Sequence, residues 1–195
     1  MSAKRDLTNP LQGVLRAAAR TLPATTGRVA AQQQRIDRRR GAAVILADIS
    51  ASMAGAAWGG QRKIDVLREA VSGAQQQRTA RLVVFSSAPR DASAVPEPES
   101  NTDLAAALTF ASAADPGVTL VISDGHPDNP AAALAVAQTF RGAIDVLYVG
   151  PESDHAAIDF MRKLAAAAGG DTLRHDIGAL GNARLLQTKI AGLLT

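Results

Sequence analysis

The chain has 195 residues, 47% hydrophobic and 20% charged, enough for one compact domain with a real core and too short for two comfortable ones. It contains no cysteine, which excludes disulfides, thiolate metal sites and cysteine nucleophiles. The net charge of +3 is unevenly spread: residues 1–40 hold nine Lys/Arg and two Asp, leaving −4 on residues 41–195, a balance that disfavours general nucleic-acid binding by the body and suits collection of a cation.

Arg16 and Arg20 interrupt the first apolar stretch before a signal-peptide segment can form. No apolar run approaches the ~20 residues of a membrane span, so the expectation is a cytoplasmic protein with no membrane partner. Residues 1–40 read as a basic helical extension. Asn9-Pro10 opens a helix with Leu11, Val14, Leu15, Ala18 and Leu22 on one side, residues 23–27 turn, and a second helix over 29–37 runs into Arg38-Arg39-Arg40. That arginine run is expected to end the helix favourably and stay in solvent, with contact to nucleic acid as the sharper alternative.

From residue 41 to 195, short apolar runs alternate with helical patterns, the signature of a parallel sheet covered by helices. Strands are predicted over 43–47, 81–85, 118–122, 144–149 and 171–174, with a short edge strand somewhere in 86–95 despite Pro89. One helix is predicted from the face Ile64, Leu67, Ala70, Val71 and Ala74, and a later one from Ala157, Ile158, Met161, Leu164, Ala165 and Ala168. Asn129-Pro130 caps a helix between them, Gly169-Gly170 ends the later one, and Leu186, Ile190, Leu193 and Leu194 close the chain with an amphipathic helix. Residues 95–101, with Pro96 and Pro98, read as an exposed loop.

Three segments at strand ends or helix starts carry hard-oxygen side chains. Asp48-Ile49-Ser50-Ala51-Ser52 follows the first strand, Asn101-Thr102-Asp103-Leu104 opens a helix, and Ser123-Asp124-Gly125 follows a later parallel strand. The ligand crevice of such a sheet lies at the carboxyl ends of its strands where their order reverses, so neighbouring strands can aim Asp48 and Asp124 at one point. Two carboxylates repel there unless a hard dication joins them. Serine and threonine hydroxyls can then fill further positions of an octahedral oxygen shell, leaving a charge-balanced metal able to accept one more anionic ligand. Helix capping by Asp48 and Ser50 and a turn at Asp124-Gly125 are the plainer alternative, but capping does not demand all three segments together.

With Asp48, Ser50 and Ser52 as D-x-S-x-S, then Thr102, then Asp124 in Ser-Asp-Gly, the chain resembles the von Willebrand factor type A (VWA) domains that carry a metal-ion-dependent adhesion site (MIDAS), of the intracellular bacterial or phage type. The resemblance covers residues 41–195. It implies an α/β fold, a doubly wound, Rossmann-like, mostly parallel six-stranded sheet with one antiparallel edge strand and helices on both faces. It also implies Mg²⁺ or Mn²⁺ held by Asp48, Ser50, Ser52, Thr102 and Asp124, and protein–protein interaction without catalysis through a partner's Glu or Asp carboxylate. Intracellular members often act beside AAA+ ATPases, which makes such an ATPase a candidate partner.

Other classes fit less well. An aspartate after a strand suggests phosphoryl-accepting hydrolases or receiver domains, but position 50 is serine rather than the second aspartate of D-x-D-x-T, and neither the acidic pair nor the late lysine of a receiver is evident. G-x-S-x-G is missing, and His126, His155 and His175 each have a bland reading: the rim or a plain loop, a solvated helix start, and a surface or hydrogen-bonded residue. Gly55, Gly59 and Gly60 lack the lysine of a phosphate loop, and Trp58 among them is either a partner contact or packed against the first helix. An accessory role in a stress-response or phage-related assembly, with the extension on nucleic acid, and a metal-dependent phosphohydrolase remain as alternatives.

Overall fold

The computed structural model describes residues 33, 39, 41–57, 60–77, 79–175 and 183–193. The chain divides into two units, Met1–Ile36 and Asp37–Thr195. In the first only Gln33, which is helical, is described; the rest of the expected helices and turn over residues 9–37 lies outside the described residues, as do Trp58 and Leu194.

The second unit is built on six strands, β1 (Ala43–Asp48), β2 (Ala80–Phe85), β3 (Pro89–Asp91), β4 (Val118–Ser123), β5 (Ala143–Tyr148) and β6 (Thr172–Arg174), in the order β3-β2-β1-β4-β5-β6. Every neighbouring pair is parallel except β2 with β3. Five α-helices accompany them among the described residues: α1 (Lys63–Gln77), α2 (Leu104–Ser112), α3 (Pro130–Gln138), α4 (His155–Ala167) and α5 (Ala183–Leu193). This is the expected α/β, Rossmann-like arrangement, five parallel strands with one antiparallel edge. The edge strand occupies only three residues of the 86–95 segment, and Pro89 stands at its first position, where an edge strand tolerates a missing N–H donor.

The apolar runs are strands because both faces of the sheet are covered. Ile45, Ala47, Leu82, Val84, Leu120, Ile122 and Leu147 pack with α1 and α5, while Val44, Leu46, Val83, Phe85, Val121, Ile144, Val146 and Tyr148 pack with α2, α3 and α4. Side chains alternate between the two cores as a period-two chain requires. The helix boundaries follow local chemistry. Asp103, Asn129 and Asp154 accept the N–H groups of Ala106, Ala132 and Ala157 at the starts of α2, α3 and α4. After α4, Gly169 turns at φ +69° and the Gly170 N–H returns to the Ala165 carbonyl at 3.0 Å.

Residues 95–101 form the expected loop, most of it exposed, and it is anchored at one end: Val95 is buried, Arg68 donates to the carbonyls of Val95 and Pro96, and Arg62 and Arg68 both reach Glu97. One segment departs from the expectations. Arg39 is not left in solvent. Asp145 lies fully buried in β5, beside Leu120, and a buried carboxylate needs compensation. Arg39 supplies it with two 2.7 Å hydrogen bonds, the Asp171 N–H adds a third at 2.8 Å, and Arg39 also touches Asp171.

From β1 the chain passes through α1 to β2 on one side and later returns to β4 on the other, so the strand order reverses between β1 and β4. The carboxyl ends of those two strands flank the crevice this topology creates. Among the described residues, no helix is long and apolar enough to cross a membrane.

Candidate metal centre

Asp48 ends β1 and is fully buried. The Ser50 N–H folds back onto Asp48 Oδ1 at 2.8 Å, an aspartate turn that directs the chain out of the sheet. A short 3₁₀ turn, Ala51–Ala54, follows, pinned by Met53, whose side chain enters the core while its N–H donates to the Ser50 carbonyl at 3.0 Å. Alternation then brings the Ser50 and Ser52 hydroxyls together at 3.0 Å, Ser50 buried and Ser52 exposed.

Across the switch point, Ser123 ends β4 and donates from Oγ to Asp48 Oδ2 at 2.6 Å, while accepting the Gly125 N–H at 3.0 Å. Asp124, between them, is 5% exposed. Gly125 turns at φ +83°, and a Cβ there would lie 2.9 Å from that of Ala157 on α4, so both backbone conformation and space select glycine.

The Asp48 carboxyl is raised to about 6, chiefly by burial and also by the like charge of Asp124, against the downward pull of bonds from Ser123 and Ser50. Neither Asp48 nor Asp124 takes part in an ion pair among the described residues. Two sheltered carboxylates therefore stand at the ends of adjacent strands, neither with an ion-pair partner among the described residues.

Thr102 arrives on the segment before α2. The Asp103 N–H donates to the Ser86 carbonyl at 2.7 Å, and Thr102 exchanges two bonds with Asp128: its N–H reaches Asp128 Oδ2 at 3.1 Å, and its carbonyl accepts the Asp128 N–H at 3.0 Å. Asp48, Ser50 and Ser52 thus form one hydrogen-bonded string, and Asp124 acts on Asp48 through its charge. Thr102 joins through the loop after β4, with no direct bond to the other four among the described residues. Ser123 and Asp128 are the additions the sequence did not single out. Ser123 stood beside Asp124 in the motif, but its bond to Asp48 spans 75 positions; Asp128 carried no local signal.

The donors are two carboxylates and three hydroxyls. No group of three or more His, Cys, Asp or Glu suited to a metal occurs among the described residues. Carboxylate and hydroxyl oxygens are the ligand type that hard cations prefer. The 3.0 Å between the Ser50 and Ser52 hydroxyls is a hydrogen-bond length and also matches the roughly 2.9 Å between adjacent oxygens of an octahedral shell with ~2.0–2.1 Å bonds.

The histidines stand elsewhere. His126 is exposed and its Nε2 lies 2.7 Å from Asp154, the capping residue of α4, whose carboxyl is held low by the Ala157 N–H and then by His126. His155 begins α4 in solvent. His175, expected at the surface or satisfied by hydrogen bonds, is buried: its N–H donates to the Tyr148 carbonyl at 2.7 Å and its Nδ1 lies 3.3 Å from Lys189 Nζ.

Neither the protein-family models nor the curated proteins compared with the chain give a match.

Proposed function

We propose that this chain is a VWA-like, non-catalytic interaction module that holds one Mg²⁺ or Mn²⁺ at a MIDAS formed by Asp48, Ser50, Ser52, Thr102 and Asp124, and uses it to engage a Glu or Asp of a protein partner. The observation that carries the reading is the pair of buried carboxylates, Asp48 and Asp124, that flank the sheet's switch point with no ion-pair partner among the described residues. Burial of unpaired acids is costly, and proteins retain such an arrangement where a cation repays it. When bound, the metal supplies two positive charges and an open coordination position. The two carboxylates balance that charge, the hydroxyls add neutral oxygens, and the centre stays attractive to an outside carboxylate. An AAA+ ATPase is the class of partner that the sequence resemblance favours, and a cytoplasmic setting goes with it.

The test is calorimetric titration of Mg²⁺ and Mn²⁺ into the full chain, followed by capture of partners from the native host with metal or with chelator. One-site binding is expected, weakened about tenfold or more, ~1.4 kcal/mol or more, in Asp48→Ala and Asp124→Ala while the fold persists by circular dichroism. Wild-type titrations showing no binding, or variants binding as tightly as wild type, reject the centre. Acidic partners that stay bound in chelator reject its role in recognition.

A further inference from the structure

We propose that Asp128 is a positioning residue of this centre, holding the Thr102 segment in register with Asp124; the proposal rests on the metal-binding reading above. Thr102 is the one expected ligand that stands neither at a strand end nor in the turn that follows one. Asp48, Ser50 and Ser52 share one turn and Asp124 follows β4 directly, whereas Thr102 comes at the end of the long segment that leaves β3. Its placement depends on cross-chain anchors. The Ser86 carbonyl holds the next residue, and Asp128 holds Thr102 itself at both backbone groups, with 3.1 Å and 3.0 Å bonds.

Asp128 stands four residues beyond Asp124. The link between them contains Gly125, at φ +83° where a Cβ would meet Ala157, and Pro127, whose ring fixes its own φ. The reciprocal bonds to Thr102 therefore join the second and third ligand segments through a short connection. Asp128 is not needed as a helix cap: the side chain that accepts the Ala132 N–H at the start of α3 is that of Asn129. Its own carboxylate, on an exposed residue, is committed to the Thr102 N–H. Outer partners that fix a ligand's orientation typically contribute ~10–100-fold to metal affinity, because a small displacement forfeits the coordination bond.

The experiment measures Mg²⁺ affinity by calorimetry and amide hydrogen exchange at Thr102, in the full chain as wild type, Asp128→Ala and Asp128→Asn. Asparagine keeps an oxygen acceptor for the Thr102 N–H and removes the negative charge, so it separates positioning from plain attraction of a cation. Asp128→Ala is expected to bind Mg²⁺ about tenfold more weakly, ~1.4 kcal/mol, and to expose the Thr102 amide to faster exchange without metal; Asp128→Asn should stay near wild type in both. Equal weakening in both variants makes charge the cause and overturns the proposal. Wild-type affinity in Asp128→Ala also overturns it. Should that variant fail to fold, the asparagine variant decides: wild-type affinity with a protected Thr102 amide supports positioning, and lost affinity with that amide still protected refutes it. Wild-type protein without Mg²⁺ binding rejects the metal centre itself, a result distinguishable from all of these.

Discussion

Replacing Asp48 by asparagine should stabilise the metal-free protein while removing metal binding. The folded state holds a proton on Asp48 up to a pH of about 6, against 3.8 for an ordinary aspartate. Between those values the native state binds more protons than the unfolded chain, so this group's contribution to stability is fullest below pH 3.8 and is lost as pH rises through about 6. At ~1.36 kcal/mol per pH unit, the ionised carboxylate costs the metal-free fold about 3 kcal/mol at neutral pH. Asparagine carries no charge and keeps an acceptor for the Ser50 N–H, but its amide nitrogen faces Ser123 Oγ, which now donates to Asp48. Losing that donation costs about 1 kcal/mol, leaving a net gain near 2 kcal/mol, or about 4–8 °C in Tm for a domain of this size. The assay is a thermal melt in chelator at pH 7.5 and 4.5, repeated with Mg²⁺ at pH 7.5. Asp48→Asn should melt higher than wild type at pH 7.5, lose that advantage at pH 4.5, and fail to respond to Mg²⁺ that raises the wild-type Tm. A variant that melts lower than wild type in chelator at pH 7.5, or a difference independent of pH, refutes the reasoning that burial of this carboxylate costs more than its hydrogen bonds return.

Two further substitutions test the packing around the sheet. Arg39→Ala leaves the buried Asp145 carboxylate with the Asp171 N–H but no counter-charge, and should destabilise the domain by about 3 kcal/mol or more in chemical denaturation; a loss under ~1 kcal/mol would show that Asp145 does not depend on Arg39. Thr119→Val replaces a fully buried hydroxyl that has no hydrogen-bond partner among the described residues, beside Val44 and Ile144, with a methyl of similar shape, and should stabilise by about 1 kcal/mol; a destabilised variant would mean that the hydroxyl is satisfied.

The sequence by itself determined the elements and their order. The five predicted parallel strands occur within a residue of their expected bounds and the helices predicted after residue 41 occur where their apolar faces placed them, because periodicity, caps at Asn129 and a stop at Gly169 act over a few residues and leave a local imprint. It also selected the three oxygen-bearing segments, since a strand end followed by Asp and small hydroxyl residues is a local pattern. The expected adjacency of the strands that end in Asp48 and Asp124 came from the general crevice rule, and what the sequence could not supply was the register and the side-chain pairs that this adjacency creates. The sheet order sets β1 against β4, and that single fact turns Ser123 into a donor to Asp48 across 75 positions. The same holds for Asp128 on Thr102, 26 positions apart, and for Arg39 on Asp145, 106 apart, where a run that reads as solvated charge yields the counter-ion of a buried acid. Such pairings are decided by tertiary structure because a buried polar group takes whichever partner the packing brings within reach, and sequence distance places no bound on that choice.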